Sequence, residues 1–120
     1  MASILIQITS GPNEPTKAAL GFLICKTGLE EGHEVNLFLA GDAVLLIKEG
    51  ILENLTGLGT GRLIEYYEKI ISAGVIINLS KMSCDARGIS DEYILDKPLK
   101  KCKPTDLLGF ALSSDKVLAF

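Results

Sequence analysis

Three short runs of the chain are apolar on nearly every residue, and they constrain the fold more than any other feature. Residues 3–9 read SILIQIT, residues 35–39 read VNLFL and residues 75–79 read VIINL. Each run is short and bounded by glycine, proline or small polar residues, which is the pattern of a strand buried on both faces. Strands of that kind belong to parallel sheets covered by helices on both sides; an antiparallel sheet with one wet face would alternate instead.

The segments between the runs carry helical signals. Asn13-Glu14-Pro15 offers a capping residue, an acid and a tolerated proline, and predicts a helix running to about Glu31 and stopping at Gly32. In 62–73, Leu63, Ile64, Tyr66, Tyr67, Ile70 and Ile71 share one face, while Glu65, Glu68, Lys69 and Ser72 share the other. Gly74 ends that helix. Residues 43–50, AVLLIKEG, lead into a glycine-rich turn, and 80–103 reads as irregular. Pro104 to Ser114 predicts a last helix and Lys116 to Phe120 a last strand.

Alternating strands and helices over residues 1–120 predict one α/β domain, a three-layer α/β/α sandwich on a mainly parallel sheet of four or five strands. Right-handed crossovers gather the loops that follow the strands along one edge of the sheet, where open α/β sheets bind ligands. Loops 10–15, 40–44 and 80–88 are therefore the candidate site.

Charge and reactive residues narrow the chemistry. A net charge of −3 argues against nucleic acid or an anionic membrane as partner. No apolar run approaches the ~18 residues of a membrane span, and no signal peptide is evident, so a cytoplasmic protein is expected. There is one histidine, His33, read as a surface residue, and there are three cysteines, Cys25, Cys84 and Cys102. No C-x-x-C or H-x-x-x-H spacing occurs, so no metal is expected. No nucleotide or other cofactor is expected either. Gly57-Leu58-Gly59-Thr60-Gly61 lacks the lysine of a phosphate loop and a strand immediately before it; it reads as a turn with Thr60 capping the next helix. Three thiols leave one unpaired in any disulfide scheme, which suits a reducing compartment.

Of the three thiols, Cys84 is the candidate for chemistry. Ser83 reads as a helix cap before it and Arg87 lies one turn on, an arrangement that lowers a thiol's pKa and predicts an accessible, reactive Cys84. Cys102 sits among Lys97, Lys100, Lys101 and Lys103, in either an accessible basic loop or a lysine-protected edge strand. Cys25 lies mid-helix among apolar neighbours and reads as packing. Asn13 and Asp42 are capping residues or ligand contacts at the carboxyl edge. Leu20, Phe22, Leu23, Ile24, Cys25 and Leu29 spread around much of the first helix, which predicts a second cover supplied by a partner subunit.

Several segments together resemble the DsrE/DsrF-like family: ILIQITSGPNEPTKAALGF, EVNLFLAGDAVLLIKEG, GRLIEYYEKIISAG, the segment ending ARGIS, and the closing KVLAF. The resemblance spans nearly the whole chain in the family's order. It implies a three-layer α/β subunit that forms homo-oligomers or mixed complexes, commonly trimers or hexamers. For the sulfur-relay members it implies a cysteine that carries persulfide sulfur between donor and acceptor proteins. In those members the cysteine follows the third strand, seven residues before an Arg-Gly pair; counting back from Arg87-Gly88 gives Ser80 here. A hydroxyl cannot carry a persulfide, and Cys84 is the one thiol in that loop. The sequence thus leaves three readings: a sulfur carrier or sulfurtransferase relative acting through Cys84, a non-catalytic homologue binding a small anionic or thiol ligand near Asn13, Asp42, Ser80, Ser83 and Arg87, or a structural subunit of a larger complex.

Overall fold

The computed structural model describes residues 1–120. Its main sheet is five-stranded and fully parallel, in the order β6-β5-β2-β1-β7. The strands are β1 (Ser3–Ile8), β2 (Glu34–Leu39), β5 (Ile77–Ser80), β6 (Leu99–Cys102) and β7 (Lys116–Ala119). A two-residue ladder, β3 (Thr56–Gly57) with β4 (Gly61–Arg62), forms a separate hairpin. The helices are α1 (Pro15–Glu30), α2 (Leu63–Ser72), α3 (Lys81–Ala86), α4 (Asp91–Ile94) and α5 (Pro104–Ser113), with a 3-10 helix at Gly41–Ile47. The expected fold class holds.

From β1 through β2 and β5 to β6 the chain moves steadily across the sheet, so right-handed crossovers place α1, α2, α3 and α4 on one face. The step from β6 back to β7 reverses direction, and the same rule sends α5 to the opposite face. The first face holds the main core. Ile6, Ile8, Leu37, Leu39, Ile77 and Leu79 meet Ala18, Phe22 and Cys25 of α1, Leu63 and Ile70 of α2, and Val44 and Leu46 of the 3-10 helix. Only α5 covers the second face, packing Leu107, Phe110 and Ala111 over Leu5, Phe38 and Cys102. The strands are accordingly less apolar on that side than their sequence suggested. Asn78 is buried there and satisfied, its amide donating to the Leu37 carbonyl at 3.1 Å.

Several boundaries differ from the sequence reading. Asn13 does not cap α1; the cap position is Glu14, which makes no side-chain cap bond, and α1 begins at Pro15. Segment 80–103 is not irregular: it contains α3, α4 and β6. Their short lengths, four to six residues, are too few for periodicity to show. Thr60 does not cap α2 but donates its hydroxyl to the Thr16 carbonyl at 3.0 Å, clamping the hairpin onto α1. Gly57 is buried, and a Cβ there would stand 3.0 Å from Thr16 Cα and 3.1 Å from Ala19 Cβ. The Thr60 hydroxyl, clamped across the hairpin onto α1, stands closer still, and together these contacts account for that glycine. His33 is half-buried, and its Nδ1 accepts the Ala2 N–H at 3.0 Å.

Phe22 is fully buried at the centre of α1's sheet-facing side. Phe22→Ala is expected to lower the free energy of unfolding by about 3–5 kcal/mol. Urea titration followed by circular dichroism measures it, and a loss below about 1 kcal/mol would show that α1 does not anchor the core.

Candidate functional site

The carboxyl ends of β1, β2 and β5 lie side by side, and the loops after them bring four of the candidate residues together. Ser80 closes β5 and caps α3, its Oγ accepting the Ser83 N–H at 3.2 Å. The Ser83 hydroxyl donates to Ser80 Oγ at 3.0 Å and accepts the Gly41 N–H at 2.8 Å. Arg87 donates through Nε and Nη2 to Asp42 Oδ1 at 3.1 and 2.8 Å, and through Nη1 to the Ser83 carbonyl at 3.1 Å. Asp42, Ser80, Ser83 and Arg87 therefore form one network joining the loop after β2 to α3. The first loop contributes by contact: a Cβ on Gly11 would lie 2.6 Å from Asp42 Cβ and 2.7 Å from its carbonyl oxygen. Asn13 is exposed and hydrogen-bonds to none of the four.

The energies are modest. A serine cap stabilises by about 1 kcal/mol, and a half-exposed Arg–Asp pair by roughly 0.2–1 kcal/mol.

The cap is Ser80, not Ser83, and this shift of three residues changes the reading of the thiol. With Ser80 as cap, Cys84 falls inside α3 on its sheet-facing side, fully buried in the main core. Burial pushes its pKa up; Lys101 and Arg87 pull it down, Asp85 and Asp91 push it up, and burial wins. The expectation of an accessible Cys84 with a lowered pKa is thus corrected. Cys102 is also buried rather than accessible, on edge strand β6, with Sγ 3.5 Å from Asn78 Oδ1. Its thiol is likewise pushed up, chiefly by burial and then by Asp106, against Lys100. Cys25 is packed as expected, and burial raises its thiol from 9.0 to about 12. All three thiols are free. No group of three or more His, Cys, Asp or Glu side chains is positioned to hold a metal ion. No helix is long and apolar enough to cross a membrane.

Sequence reasoning missed Lys101. Its side chain is only 10% exposed, yet its ammonium donates to the Ile89 carbonyl at 2.7 Å and pairs with Asp91 at 2.9 Å and Asp85 at 3.9 Å. It ties β6 to the segment after α3. Nothing in a run of four lysines marks which one turns inward; pairing with β5 decides that. The Ser80 cap was readable, because a serine at a strand end with a polar residue three positions later fits a cap as well as Ser83 does.

The raised thiols link stability to pH. Well below 9 every thiol is protonated in both folded and unfolded chains, so their contribution is fully present. As pH rises toward 12 the unfolded Cys25 ionises and the folded one does not, so stability falls, by up to roughly 1.4 kcal/mol per pH unit from this group. Urea midpoints from about pH 8 to about pH 11 should decline, and Cys25→Ala should flatten the decline. An unchanged slope in the variant would refute the assignment.

Comparison with known proteins agrees with this fold. The chain is 28% identical over 113 residues to an uncharacterised protein of Methanocaldococcus jannaschii, spanning 94% of this chain and 95% of that one. A second uncharacterised protein, from Methanopyrus kandleri, is 28% identical over 117 residues, 98% of this chain and 93% of its own. Among solved structures, the ychN protein of E. coli superposes with a TM-score of 0.82 at 26% identity over the whole of both chains. A conserved protein of unknown function from Bacteroides thetaiotaomicron shares the fold at TM-score 0.72 and 15% identity, over 99% of this chain and 95% of its own. The sequence profile of the DsrE/DsrF-like family matches residues 2–120, and the chain belongs to that family.

Proposed function

We propose that this chain is a DsrE-type binding subunit rather than a working sulfur carrier: it holds a small anionic ligand at the carboxyl edge of its sheet, as a cytoplasmic homo-oligomer. The observation that carries this reading is the pair Ser80 and Cys84. The position that resembles the family's sulfur-bearing cysteine is a serine spent on capping α3, and the one thiol of that loop is buried with its pKa raised. Attack on a donor persulfide needs an exposed thiolate, and Cys84 is neither exposed nor inclined to ionise.

The edge itself favours an anion. An arginine has five N–H donors; Arg87 commits three of them to Asp42 and Ser83, and its side chain is 28% exposed. Asp42 offsets the arginine's charge, so a small anion at this edge would be held by the remaining N–H donors as much as by net charge. Thiosulfate and sulfate are suitable probes. Amide shifts at Gly41, Ser83 and Arg87 should move on titration with thiosulfate, and Arg87→Ala should abolish them. In parallel, native protein incubated with a persulfide donor should carry no sulfur on Cys84, while Ser80→Cys should become the reactive position. A Cys84 persulfide in the native wild type would return the chain to the sulfur-carrier reading.

The homo-oligomer, a trimer or trimer-based hexamer, is supported by apolar surface that a single chain leaves uncovered. Leu20 and Leu23 of α1 stay half-buried outside the core, and Leu108, Leu112 and Val117 are 60%, 79% and 49% exposed. Light scattering at micromolar concentration should return about three or six times the chain mass of 12.9 kDa. A species at the chain mass itself would end this part of the reading.

A further inference from the structure

β6 is the outermost strand on its side of the sheet, so one row of its backbone groups has no neighbouring strand. In a parallel ladder alternate residues direct their backbone groups to the same side. The Ile77 N–H donates to the Pro98 carbonyl at 2.9 Å, which assigns Pro98, Lys100 and Cys102 to the β5 side and Leu99 and Lys101 to the open side. The Leu99 N–H is taken up locally by the Lys97 carbonyl at 2.8 Å. The open edge therefore presents the Leu99 carbonyl and both backbone groups of Lys101.

A cleft lies beside β6 on one face of the sheet, and on the other a groove runs inward from β6 over β5 and β2. On the face of α3 a cleft of about 350 Å³ is bordered by Lys81, Asp85, Asp91 and Lys101, whose charges are paired among themselves. On the face of α5 a groove of about 400 Å³ is bordered by Asn36, Ile76, Lys100 and Phe110. Ile76 is 51% exposed at its rim, and Lys100 is exposed with no ion pair. Lys97 and Lys103 likewise have no carboxylate within ion-pair distance; Lys97 lies over the Tyr93 ring at 4.9 Å. In a chain of net charge −3, this edge is locally positive.

We propose that β6 is a docking edge for an extended, acidic segment of a partner protein, which adds to the sheet as a further strand. Such an added strand gains affinity from main-chain bonds and specificity from pockets that receive alternate side chains. Here the cleft on the α3 face is one such pocket, and the exposed Lys100 is the contact on the other face. Side chains on the α5 face set a carboxylate at Lys100. Side chains on the α3 face meet a cleft whose charges already balance, and small polar residues suit it. The lysines also decide against a second β6 as occupant, because like charges opposed across a strand pair are destabilising. The partner is thus a different segment, with carboxylates where this edge has ammonium groups. This inference is independent of the carboxyl-edge ligand, which lies at the ends of β1, β2 and β5.

The test uses the full chain and a blocked, fluorescently labelled heptapeptide in which threonine alternates with valine and glutamate. A control peptide carries lysine for glutamate, and another carries N-methyl groups on alternate backbone nitrogens. The acidic peptide should bind at least about tenfold more tightly than the lysine peptide, equivalent to about 1.4 kcal/mol. Amide shifts should concentrate at Leu99–Cys102. The N-methylated peptide should fail to bind, and Lys100→Glu should reverse the preference for acid over lysine. Lys100 is exposed, so the variant should fold, and an unchanged thermal midpoint checks it. Three results would overturn the proposal: no binding of the acidic peptide at millimolar concentration, equal binding of the acidic and lysine peptides, or shifts confined to β7. A peptide-independent rise in mass that Lys100→Glu abolishes would assign the edge to a second copy and overturn it as well.

Discussion

The handedness of strand crossovers governs most of this molecule. A right-twisted strand packs its return helix back onto the sheet in one sense only, so the direction of travel across the sheet decides which face each helix covers. Three steps outward from β1 put four helices and the 3-10 helix on one face, and a single step back puts α5 alone on the other. The first face becomes a dry core around Phe22, Leu37, Leu39 and Ile77. The second keeps a small cluster beneath α5 and leaves polar residues, Asn36 and Lys100 among them, along the uncovered strands. Both the groove beside β6 and the exposed leucines of α5 follow from that imbalance.

The carboxyl edge shows how a small local choice can outweigh a chemical inventory. Ser80 and Ser83 are three residues apart, and either can cap the helix that follows β5. Capping by Ser80 extends α3 back to Lys81, which turns Cys84 into the core and leaves Ser83 to bridge Ser80 and Gly41. The same register sets Arg87 just past the helix end, where it reaches Asp42. Two cations near a thiol would favour its ionised form in water. Inside the core the loss of solvation is larger, and the Cys84 thiol is pushed up rather than down.

The elements that were legible in the sequence are those whose signal is long or repeated. The apolar runs became β1, β2 and β5, the amphipathic period of 62–73 became α2, and the glycine stops at Gly32 and Gly74 hold with φ of +86° and +85°. The alternation of strand and helix gave the parallel sheet and with it the three loops of the candidate site. Four of the five proposed ligand residues do meet there; Asn13, set apart by the turn before α1, does not.

What the sequence determined by itself, then, was the fold class, the core strands and the edge at which the loops gather, because hydrophobic periodicity and crossover handedness are local or nearly universal rules. Burial at single positions was decided by tertiary structure. Cys84 and Cys102 lie inside, and Lys101 turns its ammonium between Asp91 and the Ile89 carbonyl, because packing against β5 and its neighbours orients them. A residue's solvation depends on what the rest of the chain brings beside it, and that information is spread over residues far apart in the sequence. The chemistry of a thiol or an amine is set at that level, and so the same letters that suggest a reactive cysteine describe, once folded, a packed one.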